Sequence, residues 1–317
     1  MLISIIVPVW NDASAIPVFL DKFSKLQQIS KCDYEFIFCV DPSFDNTKSV
    51  IQEISGNNEK VKALFFNTRV GQGAATFAGL VHCQGDCAVI IDVDLQDPIE
   101  LIPQMVQLWI QGFKHVLPRR ISRTGEPFTK RFTAYLGYLF LSKFGTYAIP
   151  KNTGDFRLID RKIINSVIKM KERNIFLRGL TAIINDSPKI VEFHRPKRST
   201  GQTKYNRWFG GIRSGINGLI SYSNIFLEIF FYTGTLLAFV SFILGARYLW
   251  FKVNGIYIPE GITQLFVALT FIGGLILMGI GILGLYIGRI FDEVKARPRW
   301  TIESAANIPD SSIKNDH

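Results

Sequence analysis

Two stretches without a single charged residue, 229–246 (18 positions) and 261–288 (28 positions), constrain this chain more than anything else in it. A helix of either length crosses the apolar core of a bilayer. The competing reading, a pair of buried core helices, is weak, because a soluble helix of that length keeps a polar face. Arg247 and Lys252 lie between the two stretches, whereas Arg289, Lys295, Arg297 and Arg299 follow the second and a basic run precedes the first. That asymmetry predicts both termini on the cytoplasmic side of a plasma (inner) membrane. Gly284 and Gly288 form a small-xxx-small pair, with Gly273, Gly274, Gly279 and Gly281 nearby, a pattern that marks helix packing within one subunit or in a homo-oligomer. Glycine is common in membrane helices in any case, so the pattern does not choose.

The remainder is not a disordered chain: of 317 residues 48% are hydrophobic and 20% charged. The 26 phenylalanines fit apolar surface that meets lipid. A net charge of +10 favours anionic partners: nucleic acid, membrane lipid headgroups or phosphorylated substrates. The basic residues gather beside the membrane stretches, which argues for lipid and phosphate and against nucleic acid. Cys32, Cys39, Cys83 and Cys87 lie on or beside apolar runs with no CxxC pair, and His82, His115, His194 and His317 lack the spacing of a zinc site. Four reduced, mostly buried thiols are expected. MLISIIVPVWND has neither a basic leader nor a small-residue cleavage pattern, so it reads as a first strand.

Short β-rich runs recur at 2–9, 35–40, 62–66, 87–92 and 114–118 with helix-like stretches between them. This spacing predicts a parallel α/β sheet covered on both faces. Two basic, aromatic stretches, 127–147 and 205–224, read as amphipathic helices lying in the headgroup plane or as ordinary domain helices. The expected organisation is an α/β domain over 1–224, membrane helices over 225–251 and 261–289, and a cytoplasmic tail over 290–317. The tail is expected to be disordered after Trp300, and no internal repeat is visible.

In a parallel sheet the ligand site forms beyond the carboxyl ends of the strands. Asp41 stands at one such end, in CVDPSFDNT, and Asp92 and Asp94 at another, in IIDVDLQDP. A carboxylate pair spaced Asp-x-Asp can hold a hard divalent cation that clamps a diphosphate; a plain surface turn is the alternative. Gly71-Gln72-Gly73 follows a strand and opens a helix, as in a dinucleotide fingerprint. Thr76 stands where the third glycine belongs, and the motif follows the third strand, so a tight turn near a nucleotide is the better reading.

Together these residues resemble the GT-A fold glycosyltransferases of family 2, and within them the polyisoprenyl-phosphate enzymes. VPVWND is similar to VPVYNE, CVDPSFDNT to the DDGSxDxT nucleotide loop, and IIDVDLQDPIELIP to the DADLQDPPE metal block. GDFRLIDRK is similar to the SGDFRL segment that supplies a base, and RSTGQTKY to RxxGxSKY before the membrane. The two C-terminal membrane stretches resemble those of the bacterial bactoprenol glucosyltransferases. The chain departs from the pattern at Val40 and Pro42, which replace Asp and Gly of DDGS, at Asp12 in place of Glu, and at Gln72 where many relatives carry Lys. The QxxRW signature of processive synthases is absent.

The resemblance implies an α/β GT-A domain that transfers a hexose, with inversion, from a UDP-sugar to a polyprenyl (undecaprenyl) phosphate at the cytoplasmic membrane face. Glucose is the expected sugar; mannose, galactose, GlcNAc and aminoarabinose are alternatives, as is a non-catalytic nucleotide-sugar-binding scaffold. It implies that Asp92, Asp94 and Gln96 hold Mg²⁺ or Mn²⁺. Pro8, Val9 with the adjoining Trp10, Asp12, Asp41 and Arg69 would bind the donor together with Asp92 and Asp94. Arg120, Arg123, Arg131, Arg198 and Lys204 would meet the acceptor phosphate, with Lys130 beside them. Asp155 would be the base. A phosphate monoester is already mostly a dianion at neutral pH, so Asp155 is expected either to orient the acceptor or to take a proton from its monoanion.

Overall fold

The computed structural model describes residues 1–27, 32–121, 150, 152–170, 172–173, 175–184, 187–194, 225–255 and 261–313. They form two units, Met1–Gly218 with Ala296–His317, and Leu219–Lys295. The stretches 127–147 and 205–224, and with them Arg123, Lys130, Arg131, Arg198 and Lys204, lie outside the described residues.

The first unit is built on β1 (Leu2–Val9), β2 (Asp33–Val40), β3 (Val61–Phe66), β4 (Cys87–Ile90), β5 (His115–Arg120), β6 (Arg157–Asp160), β7 (Lys189–Phe193) and β8 (Ile302–Ala306). They make one sheet in the order β7-β5-β6-β4-β1-β2-β3-β8. The five strands read from sequence are all present. β1 pairs parallel with β2 and β4, and β2 with β3, as the crossover spacing requires.

The sheet is mixed rather than all-parallel, because β6 runs antiparallel between β4 and β5. The tail is the second correction. Instead of a disordered end, residues 302–306 form β8, antiparallel to β3 at the sheet edge. Lys48 donates to Glu303 at 2.9 Å, and Asn307 Nδ2 donates to the carbonyls of Ser55 and Val61 at 2.7 and 2.9 Å. Trp300, just before β8, is 3% exposed.

Alternation along β1 divides the core. Ile3, Ile5 and Val7 face α1 (Ala15–Gln27), α2 (Thr47–Asn57) and α4 (Ile102–Ile110) through Phe19, Phe23, Ile51 and Met105. Ile6 faces the other side, with α3 (Gly71–His82), α5 (Arg161–Val167), α6 (Leu177–Ile183) and Trp300. Ser4 is the polar exception on β1. Its hydroxyl donates to buried Glu35, which also accepts from Gln84 N at 2.7 Å and pairs with Lys62 at 2.7 Å. All four cysteines are free, and three of them, Cys39, Cys83 and Cys87, are buried, as expected.

The second unit contains α7 (Ile225–Val253) and α8 (Ile262–Lys295). Within α8, residues Phe271–Lys295 are long and apolar enough to cross a membrane. Leu277, Ile287 and Ile290 are among its exposed apolar side chains. A Cβ on Gly279 would come 3.3 Å from the Phe230 ring, so this glycine lets the two helices approach. Gly284 and Gly288 meet nothing within 4 Å.

Candidate active site

β1 leads to neighbours on opposite sides, β2 on one and β4 on the other, so the strand order reverses at β1 and opens a crevice beyond its carboxyl end. The loops after β1, β2 and β4 all enter it. Asp41 N–H donates to the Val9 carbonyl at 3.0 Å, which ties the first two loops at their roots. Farther out, Ala13 N–H donates to Asp45 Oδ2 at 3.1 Å, Thr47 N–H donates to Asp45 Oδ1 at 3.1 Å, and Asp12 N–H donates to Thr47 Oγ1 at 3.0 Å. Asn11 sits in the left-handed region, φ 53°, and its side chain accepts from Phe44 N–H at 2.7 Å. Asp12 therefore reaches the site on a loop braced by Asp45, a residue that sequence reasoning did not single out. Pro8 and Val9 are the last residues of β1, and Val9 turns its side chain into the core.

Asp41 does a second job here. Its carboxylate accepts from the N–H groups of Val70 and Gly71 at 2.9 and 3.0 Å, where α3 begins. Burial pushes this carboxyl up, while those two donors and Arg69 pull it back. Each oxygen keeps a second lone pair, so a base N–H can still be accepted. Gly71 is needed for its φ of 81°, and Gly73 because a Cβ there would sit 2.6 Å from the Ile175 carbonyl. The GxG is thus a turn and a close approach, and no dinucleotide fingerprint. The Arg69 guanidinium lies 3.5 Å from the centre of the Trp10 ring, forming a flat cationic shelf beside Asp41.

The antiparallel register of β4 and β6 explains how the distant acidic segments meet. Its last pair is Ile90 with Arg157, and the same register carried two residues further aligns Asp92 with Asp155. Burial, then the charges of Asp97, Asp155 and Asp94, push the Asp92 carboxyl up to about 8, with Arg120 opposing. Gln72 Nε2 donates to Asp92 Oδ1 at 2.9 Å, which gives the residue standing in the usual lysine's place a definite partner. Leu95 adopts φ 57°, an uncommon conformation for a bulky residue, and turns the chain so that Gln96 N–H donates to Asp94 Oδ1 at 3.1 Å.

Arg120 closes the other side of this cluster. It ends β5, lies over Gly154, where a Cβ would be 3.1 Å from Nη2, and donates to buried Asp97 at 3.3 Å. Asp155 is held by a residue with no motif to announce it: Arg178 Nε and Nη2 donate to Oδ1 and Oδ2 at 2.8 and 3.0 Å. Burial alone would raise the Asp155 carboxyl, but Arg178, joined by Arg157 and Arg120, holds it below the usual carboxylate range.

Asp92 and Asp94 suit a hard cation, since a group of like charges that raises the Asp92 carboxyl so far is relieved by positive charge. Among the described residues no three His, Cys, Asp or Glu side chains converge as a closed cage. An ion would therefore take its remaining ligands from a diphosphate and water, as Mg²⁺ commonly does.

Residues 4–168 match the model of Glycosyl transferase family 2. The chain is 37% identical over 308 residues to the SfII prophage-derived bactoprenol glucosyl transferase of Shigella flexneri, covering 96% of this chain and 98% of that one. It is also 37% identical over 306 residues to the prophage bactoprenol glucosyl transferase homolog of Escherichia coli (strain K12), covering 96% and 99%. Among solved structures, glucosyl-3-phosphoglycerate synthase from Mycobacterium tuberculosis in complex with Mn²⁺, UDP-glucose and phosphoglyceric acid aligns at 19% identity and TM-score 0.46, over 69% of this chain and 78% of that one.

Proposed function

The chain belongs to glycosyl transferase family 2, and from that premise we propose that it transfers glucose from UDP-glucose to a polyprenyl phosphate such as undecaprenyl phosphate. Transfer occurs with inversion, at the cytoplasmic face of the membrane, for cell-envelope glycan modification. One observation carries the chemistry. Asp92, aligned with Asp155 and grouped with Asp94 and Asp97, sits at the strand-order reversal with Arg120 on one side and Arg178 on the other. Identity of 37% with bactoprenol glucosyl transferases over nearly the full length supports the choice of sugar and acceptor.

The donor lies across the crevice. Its base and ribose meet the Arg69–Trp10 shelf, Asp41 and the loop carrying Asp12, and its diphosphate reaches Asp92 and Asp94. A divalent cation, Mg²⁺ or Mn²⁺, held there by Asp92 and Asp94 with Gln96 adjoining, would neutralise the charge that gathers on the departing UDP. The acceptor oxygen attacks the anomeric carbon from the face opposite the leaving diphosphate, which inverts that centre. Asp155, tied to Arg178 and holding its proton weakly, is not needed as a strong base toward an acceptor phosphate that is already mostly a dianion at neutral pH. Arg120 is the described member of the cationic set proposed for the acceptor, with Arg123, Arg131, Arg198 and Lys204.

Helices α7 and α8 are proposed as membrane spans that keep this site beside its lipid substrate. The test is transfer of label from radiolabelled UDP-glucose into the lipid phase by purified protein in detergent with polyprenyl phosphate and Mg²⁺ or Mn²⁺. Wild type should label the lipid, and Asp94→Ala and Asp155→Asn should not. Full activity in Asp94→Ala would remove the metal role, and failure of wild type with UDP-glucose but success with another donor would change the sugar.

A further inference from the structure

Of the three guanidinium groups that act on Asp155, Arg157 and Arg178 are occupied differently. Arg157 is 1% exposed, and its Nη2 and Nε donate to the carbonyls of Gly154 and Asp155 at 2.8 and 3.3 Å. Its Nη1 donates to Thr181 Oγ1 at 2.7 Å, and that hydroxyl donates to the Leu177 carbonyl at 2.9 Å. Arg157 thus fastens the backbone on either side of the catalytic carboxylate to α6.

Arg178, in the first turn of α6, takes the side chain instead. Its fork meets both carboxylate oxygens, yet Arg178 and Asp155 remain 28% and 32% exposed, so the pair faces the crevice. A planar fork that fits a carboxylate also fits a phosphate, and a dianion competes for it well against a monoanion. The surrounding Asp92, Asp94 and Asp97 repel a second anion, and Arg120 is engaged with Asp97. An acceptor phosphate arriving at Asp155 therefore needs a cation that the resting site already displays there.

We propose that Arg178 is a masking and phosphate-receiving residue: in the resting enzyme its fork occupies Asp155, and the acceptor phosphate takes the fork over and releases the carboxylate. This rests on the transfer reading above. The arrangement discriminates between two reactions of the same donor. In hydrolysis a water oxygen bonds to the anomeric carbon, the bond from that carbon to the diphosphate oxygen breaks with its electron pair leaving on UDP, and the water proton passes to a carboxylate. In transfer the same bond breaks, but the new bond is to the phosphate oxygen. With Asp155 masked until the phosphate is present, water finds no free base.

The experiment compares wild type, Arg178→Gln and Arg178→Lys in detergent, measuring UDP-glucose hydrolysis without acceptor and transfer with polyprenyl phosphate. In Arg178→Gln, hydrolysis should rise several-fold while KM for polyprenyl phosphate rises about tenfold or more and KM for UDP-glucose stays within about twofold. Arg178→Lys, which keeps the charge without the fork, should fall between. A fall in hydrolysis alongside transfer in both variants would overturn the proposal, and so would a rise confined to the KM for UDP-glucose, which would assign the fork to the donor diphosphate. Should Arg178→Gln lose its thermal transition, Arg178→Lys is judged by the same criteria. A wild type that makes no lipid product refutes the transfer reading, while the hydrolysis measurement, needing no acceptor, still decides whether Asp155 is masked.

Discussion

Gly73, in the first turn of α3, lies against the backbone of Ile175: a Cβ at Gly73 would stand 2.6 Å from the Ile175 carbonyl oxygen. The contact joins the two elements that hold the carboxylates, because Gln72 donates to Asp92 and Arg178, three residues beyond Ile175, holds Asp155. A methyl group cannot be accommodated by turning a side chain, since the obstacle is main chain. Gly73→Ala should cost about 1–3 kcal/mol of stability. It should also raise the KM for UDP-glucose as Gln72 is pushed off Asp92. Thermal melting and initial-rate kinetics check both, and an unchanged KM would separate this packing from the donor site.

The Arg69–Trp10 stack makes a second prediction, one that concerns affinity. A guanidinium 3.5 Å from a ring centre contributes about 0.5–2 kcal/mol to the stack, and the same guanidinium faces the Asp41 carboxylate. Arg69→Ala should weaken UDP binding several-fold and leave kcat nearly intact, whereas Asp41→Ala should also lower the melting temperature by removing the acceptor for Val70 and Gly71 at the start of α3. Calorimetric titration with UDP, set beside the melts, distinguishes the two.

Much of this arrangement was legible before the fold was known, and the reasons are particular. LISIIVPV, EFIFCV and CAVI are apolar enough to announce buried parallel strands, and Asp41, Asp92 and Asp94 were found because they stand beyond the ends of the second and third of these. RLID and IESAA are short and carry charge, so nothing local marks them as strands; β6 forms because β4 and β5 flank it, and β8 because β3 offers an open edge. Asp155 was reached only through resemblance, since its alignment with Asp92 comes from that antiparallel register. Arg178 carried no signal at all: its role exists only once α6 is brought beside Gly154 and Asp155 by Arg157.

The segment after α8 should matter to the first unit itself, beyond its connection to that helix. Trp300 packs on Phe77 of α3 with ring centres 5.9 Å apart, and Arg299 lies 4.5 Å from the centre of the same Phe77 ring while donating to the Glu172 carbonyl at 3.2 Å. Trp300→Ala should cost about 3–5 kcal/mol. A chain ended after Lys295 keeps α7 and α8 but loses β8 and uncovers the edge of β3. It should melt earlier and aggregate more readily than full-length protein. Equal melting temperatures would show that the strap contributes nothing to the first unit.

One histidine should make a separable contribution to acid sensitivity. His115 is buried on β5, its Nε2 has no hydrogen-bond partner among the described residues, and burial, with Arg157 adding to it, lowers its pKa from 6.5 to about 3. The unfolded chain takes up a proton below about pH 6.5 that the folded chain refuses until about pH 3, so the contribution of this group to stability falls with pH across that interval. Glu35 works in the same direction lower down. Burial would raise its carboxyl, but Lys62, Ser4 and the Gln84 N–H outweigh it and hold it below 4.5, so its contribution is complete above that value and is lost as pH falls through the folded pKa. His115→Leu removes the first effect and leaves the second. Asp92, whose carboxyl is pushed up to about 8 by burial and its acidic neighbours, works in the opposite direction between about pH 8 and pH 4 but is common to both proteins, so the melting-temperature difference, His115→Leu minus wild type, should grow as pH falls from about 7 to about 5. A difference that stays constant from pH 7 to pH 5 would mean that His115 is protonated in the folded protein, with a partner for Nε2 supplied by rearrangement around β5.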